Sequence, residues 1–185
     1  QEAAAVPMIL AGPEVPAGVV RRTPVSHVDV FPTIMEWVLG TFSDRGYPGF
    51  SLNEMMTREK PDRSVLSEYH ASSSRSGEFM IRFGKWKYVY YVHYPDQPQL
   101  FDLEADPEEL FDLGTDKNSS KVINECYERL RAMLDPVEVD RRAKKRQAEI
   151  VAANGGRKAV IARGSFAYSP PPGFKAEFAS EGGKP

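Results

Sequence analysis

Four runs of strand character follow one another between Ser64 and Leu103 with no helical pattern between them. No other feature constrains the fold as much. Ser64–His70 reads as a first strand. Glu78–Phe83 and Lys87–Val92 form a hairpin joined through Gly84, and Leu100–Leu103 supplies a fourth strand. Aromatic and branched residues alternate with polar ones, as half-buried strands require. Consecutive strands without intervening helices predict a small antiparallel sheet.

The residues before this block have a different character. Val6–Ala11 is a short apolar run closed by Gly12-Pro13, and it predicts a buried strand followed by a turn, with Pro7 near the strand's start. A turn-rich link leads to Val25–Pro32, where Pro32 suits the first turn of a helix. That helix carries Phe31, Ile34, Met35, Val38 and Leu39 on one face and stops at Gly40. Strand followed by helix is an α/β signature. Thr41–Asp62, rich in Gly, Pro, Asp and Arg, reads as a loop.

Two helices are expected after the sheet. Ser119–Leu134 places Val122, Ile123, Cys126, Tyr127, Leu130, Met133 and Leu134 on one stripe. Asp135-Pro136-Val137-Glu138 then offers an N-cap, a first-turn proline and an acid at the third position. This second helix should run to Ala153 and end at Asn154-Gly155-Gly156, with a short third helix at Arg157–Arg163. The tail, through Pro170–Gly173 and Ser180–Gly183, reads as extended. The domain boundaries are thus 1–62, 63–135 and 136–185.

Composition removes several classes of function. The chain has 185 residues and a net charge of −2, from 24 Lys and Arg against 26 Asp and Glu, so a nucleic-acid partner is not expected. Its single cysteine, Cys126, excludes an internal disulfide and a cysteine-rich metal site. No apolar run approaches the roughly 18 residues of a membrane-spanning helix, so no membrane partner is expected. The chain opens without Met or a basic leader and enters an apolar run almost at once. It reads as though cut from something longer, which leaves its compartment open between bacterial cytoplasm and periplasm.

The candidate motifs mostly favour structure over chemistry. Asp102, Glu104, Asp106 and Glu108 alternate as in a calcium loop, but Pro107 stands where that loop needs Gly and Leu113 where it needs an acid. A helix start fits better, with Asp106 as N-cap, Pro107 first and Glu109 reaching back. His27, His70 and His93 have no metal-ligand spacing. His27 suits a helix entry and His93 a sheet edge. His70 differs, because Glu68-Tyr69-His70 ends a strand just before the small residues Ala71–Ser74, and ligand contacts collect where strands run into loops. Arg141, Arg142, Lys144, Lys145 and Arg146 read as a solvated or inter-subunit helix face, and Trp86, Tyr88, Tyr90 and Tyr91 as sheet packing. No complete catalytic set is present.

The order of the pieces resembles the sulfatases of the alkaline-phosphatase-like superfamily. Val6–Pro13 and Thr23–Thr33 look like the late core of those enzymes. Ser67-Glu68-Tyr69, Met80-Ile81-Arg82, Trp86-Lys87-Tyr88 and Leu100–Glu109 look like their C-terminal subdomain, in the same order. The resemblance implies an α/β fold: the end of a large α/β sandwich, then a small four-stranded antiparallel sheet with packed helices. It implies sulfate-ester hydrolysis by a formylglycine nucleophile with a calcium ion, neither of which this chain would hold, since Cys126 is followed by Tyr-Glu-Arg rather than the modification motif. No catalytic residue or metal ligand is therefore assigned, and the missing N-terminal catalytic portion becomes the expected partner. The small domain closes one side of the family's pocket, which points to His70 as substrate-binding, with Glu68 orienting it. Two rivals stand beside a small sulfate-ester substrate: a phosphonate or phosphate monoester hydrolase, and a non-catalytic interaction module. A homo-oligomer is expected through the sparsely apolar helix after Asp135.

Overall fold

A computed structural model of the chain describes residues 5–43, 46–70 and 74–164. They divide between two units, 1–137 and 138–185. The first unit holds helix α1 (Val30–Leu39), helix α2 (Asn53–Thr57), strands β1 (Val65–Tyr69), β2 (Glu78–Phe83), β3 (Trp86–Tyr91) and β4 (Gln99–Asp102), and helix α3 (Ser120–Met133). Helix α4 (Pro136–Ala153) begins at its end, and helix α5 (Gly156–Arg163) belongs to the second unit. The expected tail from residue 165 lies outside the described residues.

The sheet is an antiparallel meander in the order β1-β2-β3-β4, and every strand lies within one residue of its expected place. Register explains the alternation. Leu66 faces Ile81, Ile81 faces Tyr88, Phe79 faces Tyr90 and Tyr88 faces Leu100, so these side chains share one face. All but Leu66 are buried there. Helix α3 covers that face: Cys126 and Leu130 are fully buried, the Tyr127 ring lies 5.2 Å from Tyr90, and the Arg129 guanidinium sits 4.0 Å over Phe83. The β4 edge is closed by the chain itself. Leu113 N donates to Leu100 O at 2.8 Å and Leu100 N donates to Asp112 Oδ1 at 3.0 Å. Gly114 permits this approach, because a Cβ there would collide with the Pro98 carbonyl.

Helix α1 is set by a buried carboxylate. A short 3-10 turn, His27–Asp29, leads into it. Asp29 has no exposed surface and accepts from Ser26 N at 2.7 Å, Phe50 N at 3.0 Å and Arg63 Nη2 at 2.6 Å. Thr33 Oγ1, one turn on, donates to Asp29 O at 2.6 Å and accepts from Leu52 N at 2.8 Å. Loop 46–52 therefore packs on the helix start, with Gly49 so close to the Val28 carbonyl that a Cβ would clash. Helix α2, inside the span read as loop, is held from outside: Asn53 donates to Glu36 at 2.7 Å and accepts from Trp37 Nε1 at 2.6 Å. Its pattern is too short for helical periodicity to show.

Two expectations are corrected, and one apolar face is left open. Residues 6–11 form no strand, since a strand needs a neighbour to take up its amides and none pairs with it among the described residues. The segment instead lines an apolar cleft of about 370 Å³ with Leu52, Met55 and Met56. The apolar stripe of α1 is not covered: Phe31, Ile34, Val38 and Leu39 are 48%, 47%, 72% and 61% exposed. No helix starts at Asp106, because Glu109 turns into the left-handed region (φ 58°) and its carboxylate goes to Lys87 rather than back to the turn.

In the second unit, the Asn154–Gly155 break ends α4 as expected, with Gly155 at φ 86°. The basic cluster of α4 is laced to acids on the same helix, Arg141 with Glu138 and Arg146 with Glu149.

Replacing Asp29 with Ala should lower stability by about 3–5 kcal/mol, because it leaves the Arg63 guanidinium largely buried without its counter-charge. Denaturant unfolding of wild type and variant measures this as a fall in midpoint.

Candidate functional site

Strand β1 is the open edge of the sheet, and its last residues carry the candidate site. Glu68 stands opposite Phe79 and so points to the α3 side, whereas Ser67 and Tyr69 point to the other. His70 leaves the strand just beyond. Its ring meets the Phe79 ring edge-on at 5.3 Å, and its Nε2 lies 3.2 Å from Glu68 Oε2. A protonated Nε2 donates to the carboxylate at that distance. The two residues singled out from sequence are thus brought together. Packing on Phe79 fixes the plane of the imidazole and Glu68 fixes its rotation. Only 18% of the His70 side chain is exposed, against 36% for Glu68.

The chain then passes through residues 71–73, outside the described set, and returns at the same end of the sheet. There, loop 74–77 is tied to the turn after β3: Val92 N donates to Gly77 O and His93 N to Ser76 Oγ, both at 3.1 Å. His93 lies beyond the strand's end at Tyr91, exposed in this turn, and His27 is exposed at the start of the 3-10 turn.

Asp102, Asp106 and Glu109, at and after the end of β4, spend their carboxylates on backbone and lysine. Asp102 Oδ1 accepts from Glu104 N and Ala105 N at 3.2 Å each, and Oδ2 accepts from Lys85 Nζ at 2.6 Å. Burial works against ionisation of Asp102, yet these donors prevail and hold its pKa below the usual carboxylate range. Asp106 accepts from Leu110 N and Phe111 N. Glu109 takes Lys87 Nζ at 2.6 Å, where both side chains are largely buried and the ammonium lies 5.6 Å from the Phe101 ring centre. Here too burial is the largest single influence and raises the carboxyl pKa, while the hydrogen bond and charge of Lys87 act against it and the net shift is downward. A pair separated by 22 residues leaves no local sequence signal.

No three His, Cys, Asp or Glu side chains gather as metal ligands among the described residues. The Cys126 thiol has no exposed surface, and burial pushes its pKa up to about 12. A thiol so placed neither ionises readily nor meets a substrate.

The model of the family described as "N-sulphoglucosamine sulphohydrolase, C-terminal" matches residues 1–135. The chain belongs to this sulfatase C-terminal family. The sulfatase domain is 42% identical over 114 residues to a choline-sulfatase of Rhizobium meliloti, and 31% identical over 121 residues to arylsulfatase K of Mus musculus. Each alignment covers 60% of this chain and 22% of the relative, so the chain spans about a fifth of the length of these curated relatives. Among solved structures, Ps i-CgsB shares the fold with a TM-score of 0.51 and 23% identity, over 67% of this chain and 28% of that one. The resemblance read from Val6–Pro13, Thr23–Thr33 and the strand motifs is therefore correct, as is the α/β class with its four-stranded antiparallel sheet. The described residues of the domain do not fit a formylglycine or a calcium ion, because the one cysteine is sealed in the core and no three candidate ligand side chains gather among them.

Replacing Lys87 with Met should cost about 1.5–3 kcal/mol near neutral pH, the usual worth of a hydrogen bond to a charged group. Glu109 has its pKa lowered in the folded state, so its contribution is present above the unfolded carboxyl value of about 4.3 and fades as pH falls through the lower folded value. Denaturant midpoints of both proteins should accordingly converge on acidification.

Proposed function

We propose that this chain is the C-terminal portion of a sulfate-ester hydrolase, supplying pocket wall and assembly surface, with the nucleophile and metal on residues outside it. The observation that carries this reading is the family match over residues 1–135, reinforced by 42% identity to a choline-sulfatase. A formylglycine and a calcium ion, which the sulfatase resemblance implies, would then belong to those outside residues.

The exposed apolar surface supports the same assignment. Helix α1 is apolar nearly all round, and such a helix is built to be covered on every side. Its own unit covers Pro32 and Thr33, while Phe31, Ile34, Trp37 and Val38 stay exposed. Ile9 and Val20, 83% and 84% exposed, extend the surface. Residues 6–11 add an apolar segment that pairs with no strand among the described residues. A catalytic α/β layer offers both things this surface lacks, an apolar sheet face and a strand edge.

Within this reading His70 is the residue of this chain that reaches the small sulfate ester. Glu68 orients it, and the imidazole forms part of the pocket wall. The basic helices α4 and α5, beyond the family match, serve assembly into a homo-oligomer.

The complete polypeptide containing this chain should hydrolyse 4-nitrophenyl sulfate, and the 185-residue chain alone should not. Turnover by the isolated chain, or none by the complete one, overturns the reading. His70→Ala in the complete enzyme should lower kcat/KM by about tenfold or more with unchanged circular dichroism; an unaltered kcat/KM removes His70 from the pocket. Truncation after Leu134 should reduce the mass found by light scattering, and an unchanged mass assigns assembly to other surfaces.

A further inference from the structure

A cleft of about 660 Å³ lies where the chain before α1 meets the sheet face opposite Phe79. The chain before α1 contributes Arg22 and His27 to its walls, and the sheet contributes Val65, Met80, Arg82 and Lys87. None of the described residues that line it is Asp or Glu.

The sheet wall holds an arrangement that a strand pair ordinarily avoids. Arg82 and Lys87 are direct cross-strand partners, so two cations stand side by side on one face. Like charges opposite each other destabilise a sheet. Lys87 is answered by Glu109 at 2.6 Å. Arg82 is not. It is half-buried, its guanidinium donates to the neutral Gly84 carbonyl, and it makes no ion pair among the described residues. Burial lowers its pKa, and the charge of Glu104 opposes that shift from beyond ion-pair distance. A partly desolvated cation without a counter-charge costs stability until an anion supplies one.

The other wall adds charge on a fixed frame. The Arg22 side chain is exposed and has no ion-pair partner among the described residues. The backbone that carries it is tied down: Arg22 N and Thr23 N donate to Glu59 at 2.9 and 3.0 Å, and Pro24 O accepts from Arg63 at 2.6 Å. A wall set in this way needs little further ordering when a ligand arrives. Val65 and Met80 give the cleft apolar surface, where attraction between opposite charges is stronger than in open water. A guanidinium meets the oxygens of a sulfate or phosphate two at a time.

We infer that this cleft is a binding site for a free tetrahedral oxyanion, with Arg82 and Arg22 as the side chains that hold it. Binding there does not depend on the sulfate-ester reading.

The test is calorimetric titration of the complete polypeptide with sodium sulfate, at an ionic strength held constant with sodium chloride. Arg82→Gln should weaken one sulfate site about tenfold or more, the effect of losing a hydrogen bond to a charged group. Arg22→Gln, a change at an exposed side chain, should weaken the same site and decides the matter alone if Arg82→Gln does not fold. Arg82→Lys keeps the charge but loses the planar fork, so its affinity should fall between wild type and Arg82→Gln. Lys121→Gln, which removes an exposed charge from α3, should leave the isotherm unchanged. Sulfate held elsewhere on the polypeptide does not respond to these changes. A wild type with no sulfate site that responds to Arg82→Gln or Arg22→Gln overturns the assignment, and a carboxylate from outside the chain filling the cleft gives that result. Equal weakening by Lys121→Gln also overturns it, because the effect is then general attraction between charges.

Discussion

The carboxylate of Asp29, sealed from solvent, is the joint on which the first unit depends. Burying an ion is costly unless its charge and its lone pairs are both met. Here Arg63 meets the charge, and the amides of Ser26 and Phe50 fill the remaining positions. The donors come from three places far apart in sequence: the turn before α1, the loop after it, and the residue leading toward β1. Arg63 also donates to Pro24 O at 2.6 Å, which doubles its hold on the link. A single side chain therefore sets where α1 points and where the sheet begins. Glu59 makes a parallel clasp nearby, accepting from Arg22 N, Thr23 N and Thr23 Oγ1. Those bonds lower its pKa, the Arg22 amide foremost.

The structure divides into what is finished and what is open. The sheet and α3 make a closed packing problem, with Phe79, Ile81, Tyr88, Leu100 and Leu130 filling one interior. Residues 6–50 do the opposite and turn Ile9, Val20, Phe31, Val38 and Phe50 outward. Under the proposed function, the open side is the one another surface would cover. The sulfatase reading supplies that surface and gives the closed sheet a role as a rigid mount. His70 and Glu68 stand at one end of it, on the face that carries Phe79.

Much of this was legible because it is local. Strand alternation gave the meander to within a residue, and Gly40, Pro136 and Gly155 marked helix ends that the structure keeps. The pairing of His70 with Glu68 was also legible, since residues two apart at a strand's end share a face. Other features were not. Asp29 looked like one more polar residue before a helix, and its partner Arg63 lies 34 residues away. Glu109 looked like a capping acid, yet it meets Lys87 across the sheet and abandons the local bond for a stronger, less solvated one. Helix α2 has five residues and forms only because α1 offers Glu36 and Trp37 to Asn53.

The sequence by itself determined the periodic elements, the antiparallel order and the family, because periodicity and turn chemistry act over a few residues. Only the tertiary structure decided which charges are buried and which apolar faces stay open, since both depend on what a distant segment brings into contact. The same division holds for residues 6–11. Their apolar character is written in the sequence, but whether they become a strand is settled by a neighbour, because a strand's hydrogen bonds lie between segments and never within one.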